Sequence, residues 1–200
     1  MLVTDFILII FFYLLGSLSF ALVLTKIFGY GDIRNIGSGN VGATNVLRTG
    51  NKFLAFIVLS LDVLKGLAPF IIINLYFNEI DILFKIFICH FTILGHIFPI
   101  WLKFKGGKGV ATYTGFLLGF NLLIGVAFII TWLVIALFSK YSSLSSLIAT
   151  FIISIYFIFV NSNHYIGFFL LYLFLIILFK HQENIKRLIN KTENKIKFFK

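Results

Sequence analysis

The sequence predicts an all-α integral membrane protein, a polytopic helical bundle of about seven transmembrane helices. Of its 200 residues 60% are hydrophobic and 12% are charged, whereas soluble domains are about 45–50% apolar and about 25% charged. The apolar residues form long uncharged runs, and the basic residues lie between them. We therefore expect one membrane-integral domain over residues 1–200, with 181–200 as a cytoplasmic or interfacial tail.

Six apolar stretches supply the predicted helices. Five of them are each drawn as one span, 5–25, 53–77, 82–101, 145–160 and 164–179. The first is uncharged from Phe6 to Thr25, too long for the apolar region of a signal peptide, so we expect a retained span. The sixth stretch, 111–138, exceeds the roughly 20 residues that one crossing needs.

Basic residues decide how the stretch 111–138 is drawn. Of the 17 Lys and Arg residues, four lie in 26–52, three in 103–108 and seven in 180–200. If these segments are all cytoplasmic, an even number of crossings must follow residue 108. Two short helices that turn near Gly119-Phe120-Asn121 satisfy this rule and place the N-terminus outside and the C-terminus in the cytoplasm. A re-entrant hairpin is the alternative.

The net charge of +10 indicates membrane lipids as partners, not nucleic acid, because anionic headgroups attract basic loops. Cys89 is the only cysteine, so no disulfide framework is expected. His90 and His96 do not share one helical face, and we expect neither a metal nor a cofactor. Asp62 and Lys65 are three residues apart inside a span, and either structural pairing or a function would explain them.

The first polar segment is "GSGNVGATN", residues 37–45, followed by Arg48. Its glycines permit backbone conformations in which successive amides form an anion nest, and Arg48 offers a planar charged fork suited to phosphate. A flexible linker is the simpler alternative. Ser38 is a catalytic candidate here, and the candidates for substrate binding are Gly37, Gly39, Asn40, Thr44, Asn45 and Arg48.

The second polar segment is "KFKGGKGVAT", residues 103–112, which directly precedes an apolar helix. The unpaired amides of a helix N-terminus suit a phosphate, and Lys108 would add a point charge. The segment is not a Walker A loop, because Leu102 stands at the first glycine position and Gly109 follows the lysine. Gly106, Gly107 and Lys108 are the candidates for phosphate binding.

The third polar segment is "HQENIKRL", residues 181–188. On a helix His181, Asn184 and Arg187 share one face, and histidine exchanges protons near neutral pH. A solvated interfacial histidine is an equal alternative for His181 taken alone. The apolar stripe downstream predicts a tail that lies along the membrane surface.

These segments together indicate a substrate with phosphate groups and an apolar part. The His-x4-Asp motif typical of acyltransferases is absent, and no Asp-Gly pair supports an aspartate-rich metal motif. The remaining chemistry is transfer without a metal, driven by positioning and electrostatics.

"SGNVGATNVLR", "FKGGKGVAT" and "HQENIKRL" resemble, in order and spacing, the three signature motifs of the bacterial membrane-integral glycerol-3-phosphate acyltransferases that use acyl phosphate. The resemblance runs from about residue 15 to 195. It implies a seven-span protein of the bacterial inner membrane with its site facing the cytoplasm. Two departures from the family pattern are Ser19, where proline is usual, and Lys191, where glycine is usual.

The resemblance also implies an activity and its residues. The family transfers a fatty acyl group from acyl phosphate to the 1-hydroxyl of sn-glycerol 3-phosphate, giving lysophosphatidate and phosphate, the first step of phospholipid synthesis. The soluble enzyme that makes acyl phosphate is a candidate partner. The implied site residues are Ser38, Asn40, Asn45, Arg48, Lys108, His181 and Asn184, with Ser146 as the best match for a further serine.

We hypothesise direct attack of the glycerol hydroxyl on acyl phosphate, a mixed anhydride that needs no protein nucleophile. Lys108 and the amides of 106–109 would stabilise the departing phosphate, Arg48 and the asparagines would hold glycerol phosphate, and Ser38 would assist. His181 would accept the hydroxyl proton or orient the substrate. A membrane transporter for an organic anion is the alternative function, although we find no repeated motif of the kind that transporters show.

Overall fold

The computed structural model describes residues 3–77, 79–161 and 163–196, and the last four residues of the predicted tail lie outside this part. The described chain is helical and forms two compact units, Met1–Asn121 and Leu122–Lys200. The prediction of one domain over 1–200 stays a prediction. The α-helices are α1 (Val3–Ser17), α2 (Phe20–Ile27), α3 (Ala43–Val46), α4 (Lys52–Tyr76), α5 (Ile82–Cys89), α6 (Phe91–Ile97), α7 (Val110–Phe120), α8 (Leu122–Ser139), α9 (Ser142–Phe159), α10 (His164–Lys180) and α11 (Gln182–Ile189).

Membrane-spanning segments are recognised by length and hydropathy. In the described part of the chain four segments qualify, Lys52–Tyr76, Ile82–Leu102, Leu122–Ser139 and Ser142–Phe159. The bent pairs α1–α2 and α10–α11 bring the number to six if each is one span, and α7 would be the seventh. The chain is therefore an all-helical membrane protein, and the count of seven and the sidedness stay predictions.

The stretch 111–138 breaks where the sequence predicts. α7 ends at Phe120, Asn121 is extended with φ −157° and ψ 120°, and α8 begins at Leu122. The two helices are unequal, with 11 residues in α7 and 18 in α8. At 1.5 Å per residue α7 covers only about 16 Å, about half of a bilayer core.

The first predicted span is interrupted between Ser17 and Phe20, where α1 and α2 meet at 41°. Breaking a helix leaves backbone carbonyls without intrahelical donors, which is tolerated inside a membrane only if other groups bind them. The Nζ of Lys65 donates to Leu18 O at 2.7 Å, and the indole Nε1 of Trp101 donates to Ser17 O at 2.9 Å. These two side chains stabilise the break.

In the first unit α7 packs directly on α4. A Cβ built on Gly66 would overlap the carbonyl of Thr112, and one built on Gly115 would overlap that of Val63. Since small residues allow helix backbones to approach closely in membranes, these glycines set the separation of α4 and α7. The position of α7 then fixes where its N-terminus and the preceding loop lie.

In the second unit α9 packs against both α8 and α10. One side of α9 is a row of buried hydroxyl groups that donate to carbonyls one turn earlier, as Ser145 does to Tyr141 O at 2.7 Å and Thr150 to Ser146 O at 2.7 Å. This pairing satisfies hydroxyl groups away from water. α11 follows α10 at an angle of 65°, so the helix direction changes at residue 181, and the departure of the chain from the membrane there stays a prediction.

Candidate active site

The loop over residues 36–45 is tied together by Asn45. Its Nδ2 donates to Ile33 O at 3.0 Å and to Ile36 O at 2.8 Å, and its Oδ1 accepts from the backbone N–H of Ser38 at 2.9 Å. An asparagine amide has two donor hydrogens, and both are used here. Asn45 is also buried. A role for it in substrate binding would therefore be indirect, through the shape of the loop.

Gly37 is required at the place where Arg48 crosses the loop. Its φ of +57° is left-handed, and a Cβ there would lie 2.6 Å from Asn45 Oδ1 and 2.8 Å from Arg48 Nη1. Ser38 and Arg48 are both exposed, so both side chains are accessible to a ligand. The loop thus presents an exposed hydroxyl at Ser38 and an exposed guanidinium group whose Nη1 lies near Gly37.

The backbone of this loop does not behave as the sequence predicts. The N–H of Ser38 donates to Asn45, and the N–H of Gly39 donates to Ile36 O at 3.0 Å. The expected anion nest therefore has two of its amides already engaged. Of the other predicted residues Thr44 is exposed, Asn40 is half-buried and Gly39 has φ +70°.

The second segment folds back onto the end of α6. The N–H of Gly106 donates to Ile97 O at 3.1 Å, and that of Gly107 donates to His96 O at 3.0 Å. These two amides are thus also engaged, and the expectation that they hold a phosphate needs correction. The amides that helix geometry leaves for an anion are those that open α7, from Val110 onward.

Lys108 lies at the start of α7, next to its N-cap Gly109, and is half-buried. A helix N-terminus carries a partial positive charge, so a cation is unfavourable there unless an anion binds nearby. Gly109 has φ +84°, a left-handed conformation that glycine adopts without strain. Together the lysine and the first turn of α7 form an electropositive position suited to a phosphate.

The first unit therefore contains two sets of groups whose chemistry suits a phosphate. One set is Ser38 and Arg48, and the other is Lys108 with the first turn of α7. The sequence predicts both sets of side chains. It does not predict that the glycine amides would be used inside the loops.

In the second unit His181 is buried and its Nδ1 lies 2.7 Å from Ile177 O. A carbonyl accepts only, so Nδ1 carries the hydrogen and in the neutral ring the lone pair is on Nε2. This tautomer is the one required of a base that acts through Nε2. The neighbouring Asn184 is buried as well.

Glu193 is the residue of this region that sequence reasoning missed. Its Oε1 accepts from Asn184 Nδ2 at 2.6 Å and Ser143 Oγ at 2.8 Å, and its Oε2 accepts from Arg187 Nε at 2.7 Å. Burial raises the pKa of Glu193, but the hydrogen bonds from Asn184, Arg187 and Ser143 outweigh it and lower the pKa below its ordinary value. The signal available in the sequence was one of only two acids, Glu183 and Glu193, among the basic residues of the tail.

Glu193 and Ile196 bring the tail back to the start of α9. Besides the contact of Glu193 with Ser143, the N–H of Ile196 donates to Lys140 O at 2.7 Å. The tail therefore contacts the start of α9 through Glu193 and Ile196, and its expected path along the membrane surface stays a prediction. The predicted shared face of Asn184 and Arg187 is confirmed, since both bind the same carboxylate.

Ser146, the remaining predicted binding residue, lies inside the second unit. Its hydroxyl donates to Ser142 O at 2.9 Å and accepts from Trp132 Nε1 at 3.0 Å. Both roles of the hydroxyl are thus filled within α8 and α9, and its assignment to the substrate stays a prediction. In the described part of the chain no group of three or more His, Cys, Asp or Glu residues could hold a metal ion.

Comparison with known proteins places these residues in a family. The family model described as glycerol-3-phosphate acyltransferase matches residues 6–191. A glycerol-3-phosphate acyltransferase of Pelagibacter ubique is 52% identical over 188 residues, covering 94% of this chain and 95% of the relative. Another, from Sinorhizobium medicae, is 48% identical over 188 residues, covering 94% and 90%.

Two solved structures have the same fold. The crystal structure of PlsY (YgiH), an integral membrane glycerol 3-phosphate acyltransferase, in its glycerol 3-phosphate form has a TM-score of 0.89 and 36% identity, covering 97% of this chain and 96% of that one. The lysophosphatidic acid form has a TM-score of 0.86 and 34% identity at the same coverage.

Proposed function

The chain belongs to the glycerol-3-phosphate acyltransferase family, and we propose that it transfers a fatty acyl group from acyl phosphate to the 1-hydroxyl of sn-glycerol 3-phosphate. The products are lysophosphatidate and inorganic phosphate. The observation that carries the proposal is the family match over residues 6–191, which includes all three polar segments. The glycerol 3-phosphate and lysophosphatidic acid forms of the solved relative agree with this substrate and product.

Acyl phosphate is the donor that the resemblance to the acyl-phosphate-dependent acyltransferases implies, and the chemistry of the residues suits it. Acyl phosphate is a mixed anhydride with a good leaving group, so a hydroxyl can attack its carbonyl carbon directly. The bond between that carbon and the bridging oxygen then breaks, and phosphate leaves with the electron pair. Such a reaction needs charge stabilisation and positioning more than it needs a protein nucleophile.

The first unit supplies the phosphate-binding groups for this reaction. Arg48 and Ser38 are exposed beside each other at Gly37 and would hold the phosphate of glycerol 3-phosphate through charge-assisted hydrogen bonds. Lys108 and the first turn of α7 would stabilise the negative charge that develops on the departing phosphate. Asn45 contributes by holding the loop that carries Ser38.

The second unit supplies the candidate for proton transfer. The hydrogen bond from His181 Nδ1 to Ile177 O leaves Nε2 as the basic nitrogen of the neutral ring. His181 would accept the proton of the attacking hydroxyl or orient that hydroxyl. Asn184 lies three residues after His181 and donates a hydrogen bond to Glu193. It would bind substrate.

The location of the reaction follows from the same proposal. We place the protein in the bacterial inner membrane with its site facing the cytoplasm, because the basic segments that carry the site residues are typical of cytoplasmic loops. The acyl chain would enter laterally from the inner leaflet, and a soluble enzyme would deliver acyl phosphate from the cytoplasm.

A turnover assay in detergent tests the proposal. Purified protein is given acyl phosphate and glycerol 3-phosphate, and release of phosphate and formation of lysophosphatidate are followed. Turnover without a bilayer excludes anion transport as the explanation. Release of phosphate that is independent of glycerol 3-phosphate would contradict the acyltransferase reaction.

A further inference from the structure

Three ionisable side chains form a buried cluster inside the first unit. Lys65 Nζ lies 2.7 Å from Asp62 Oδ1, and His96 Nδ1 lies 3.7 Å from the same oxygen. The side chains of Asp62, Lys65 and His96 are 3%, 2% and 7% exposed. Removing charged groups from water is costly, and ionisable residues inside a membrane span most often serve a function.

The cluster connects three separate spans. Asp62 and Lys65 lie one turn apart on α4, and His96 lies near the end of α6. The Nζ of Lys65 also donates to Leu18 O, at the break between α1 and α2. Lys65 contacts Asp62 and Leu18 O at 2.7 Å each, whereas the 3.7 Å between His96 Nδ1 and Asp62 Oδ1 is longer than a hydrogen bond.

His96 contacts the loop that precedes Lys108. Its carbonyl accepts the N–H of Gly107. The edge of its imidazole ring stands where a side chain at position 107 would be, because a Cβ built on Gly107 would overlap Nε2. His96 therefore supports the glycine loop with its backbone and with its ring.

α4 holds the other end of the same loop. Gly66, next to Lys65, lies against the carbonyl of Thr112 in the first turn of α7. The residues of the cluster thus lie at the level where α4 and α6 meet the start of α7. A shift of the imidazole or of the carboxylate would move Gly107 and, through it, Lys108.

We propose that Asp62, Lys65 and His96 form a positioning network that sets the place of Lys108 and the first turn of α7 for phosphate binding. The proposal rests on the proposed function, because it assigns a substrate phosphate to that position. Asp62 orients the imidazole of His96, and Lys65 holds Asp62 and closes the break of the first span. None of the three residues touches substrate.

A binding measurement separates positioning from a general structural role. We compare His96→Ala and His96→Gln with the wild type for affinity toward glycerol 3-phosphate and inorganic phosphate by calorimetry, and for both KM values. Misplacement of a group by about 1 Å can lower the reaction rate by roughly a hundredfold. We expect His96→Ala to lose at least about tenfold for the ligand bound at Lys108 while the KM of the other substrate stays within about twofold, with partial recovery in His96→Gln.

A double-mutant cycle tests the contact itself through the melting temperature in detergent. Gly107→Ala places a methyl group against the imidazole, so its loss of stability should be smaller when His96 is alanine. Gly106→Ala is the matched control, because its methyl group meets the carbonyl of His96 and the ring of Pro99. Its loss of stability should be the same in both backgrounds.

The outcomes distinguish the network from the proposed function. Wild-type affinities for both ligands and wild-type KM values in His96→Ala would overturn the network, as would equal losses for Gly107→Ala in the two backgrounds. An inactive wild-type protein that still binds phosphate would overturn the proposed reaction. The calorimetric and thermal comparisons would then still decide the network.

Discussion

Removal of the Glu193 carboxylate should destabilise the second unit more than any other single change in the tail. Glu193 accepts hydrogen bonds from Ser143, Asn184 and Arg187, and its side chain is only 9% exposed. The change Glu193→Ala leaves the buried Asn184 and Ser143 without this acceptor. Hydrogen bonds to a charged group contribute about 1.5–3 kcal/mol each, but they are not additive and Arg187 is partly solvated.

We therefore expect a loss of about 3 kcal/mol, the lower end for breaking a buried ion pair. In a protein of this size that is a fall in melting temperature of roughly 6–12 °C. The assay is thermal unfolding of the purified protein in detergent. Glu183→Ala is the matched control, because Glu183 is 73% exposed beside Lys186 and exposed pairs contribute little.

The pH dependence of unfolding gives a second measurement on the same variant. Because the pKa of folded Glu193 is below its ordinary value of 4.5, the folded protein binds fewer protons than the unfolded one between the two values. The stabilisation is complete above the ordinary pKa and is lost as pH falls through the folded pKa. Glu193→Ala should melt with a weaker dependence on pH in this window. Equal melting temperatures for Glu193→Ala and Glu183→Ala would refute the reasoning.

Three further predictions concern the proposed site. Lys108→Ala should lower kcat by about a hundredfold or more, as loss of a charge-stabilising group does. The exposed control Lys105→Ala should keep most of the activity. Comparable rates for the two variants would contradict the role of Lys108. His181→Ala should lower turnover by about a hundredfold if the ring accepts the proton, whereas a loss within about tenfold, or 1.4 kcal/mol, would leave only orientation. Asn45→Leu should cost about 2 kcal/mol of stability and raise the KM for glycerol 3-phosphate, since Ser38 loses its acceptor. An unchanged melting temperature in detergent would show that the hydrogen bonds of Asn45 do not stabilise the loop.

The membrane fold was predictable from the sequence because hydropathy needs no tertiary information. A lipid-facing helix must be apolar along its length, so the predicted spans 53–77 and 164–179 agree with α4 and α10 within one or two residues. The break at Asn121 was also predicted, from the parity of crossings that basic loops impose. The bend after Ser17 was not predicted, because its stability depends on Lys65 and Trp101, which are distant in the chain.

The three polar segments and their side chains were also identified from the sequence alone, since clusters of Gly, Asn, Arg and Lys stand out in an apolar chain. Tertiary structure alone decided how each residue is used. The sequence predicts that Gly37, Gly39, Gly106 and Gly107 expose their amides to an anion, but those of Gly39, Gly106 and Gly107 donate to nearby carbonyls. Glycine is needed at 37 and 107 because the side chains of Arg48 and His96 occupy the space of a Cβ.

The same limit applies to the acids. In the sequence Glu193 is only an acidic residue in a basic tail. Asp62 is recognisable only as a possible partner of Lys65, three residues away. Their partners Ser143 and His96 lie 50 and 34 positions away in the chain. Local patterns report hydropathy and the chemistry of side chains, whereas hydrogen-bond partners depend on which helices meet. The sequence thus determined the membrane class and the candidate chemistry. The packing of the helices decided which polar groups hold other residues in place and which are left to bind substrate.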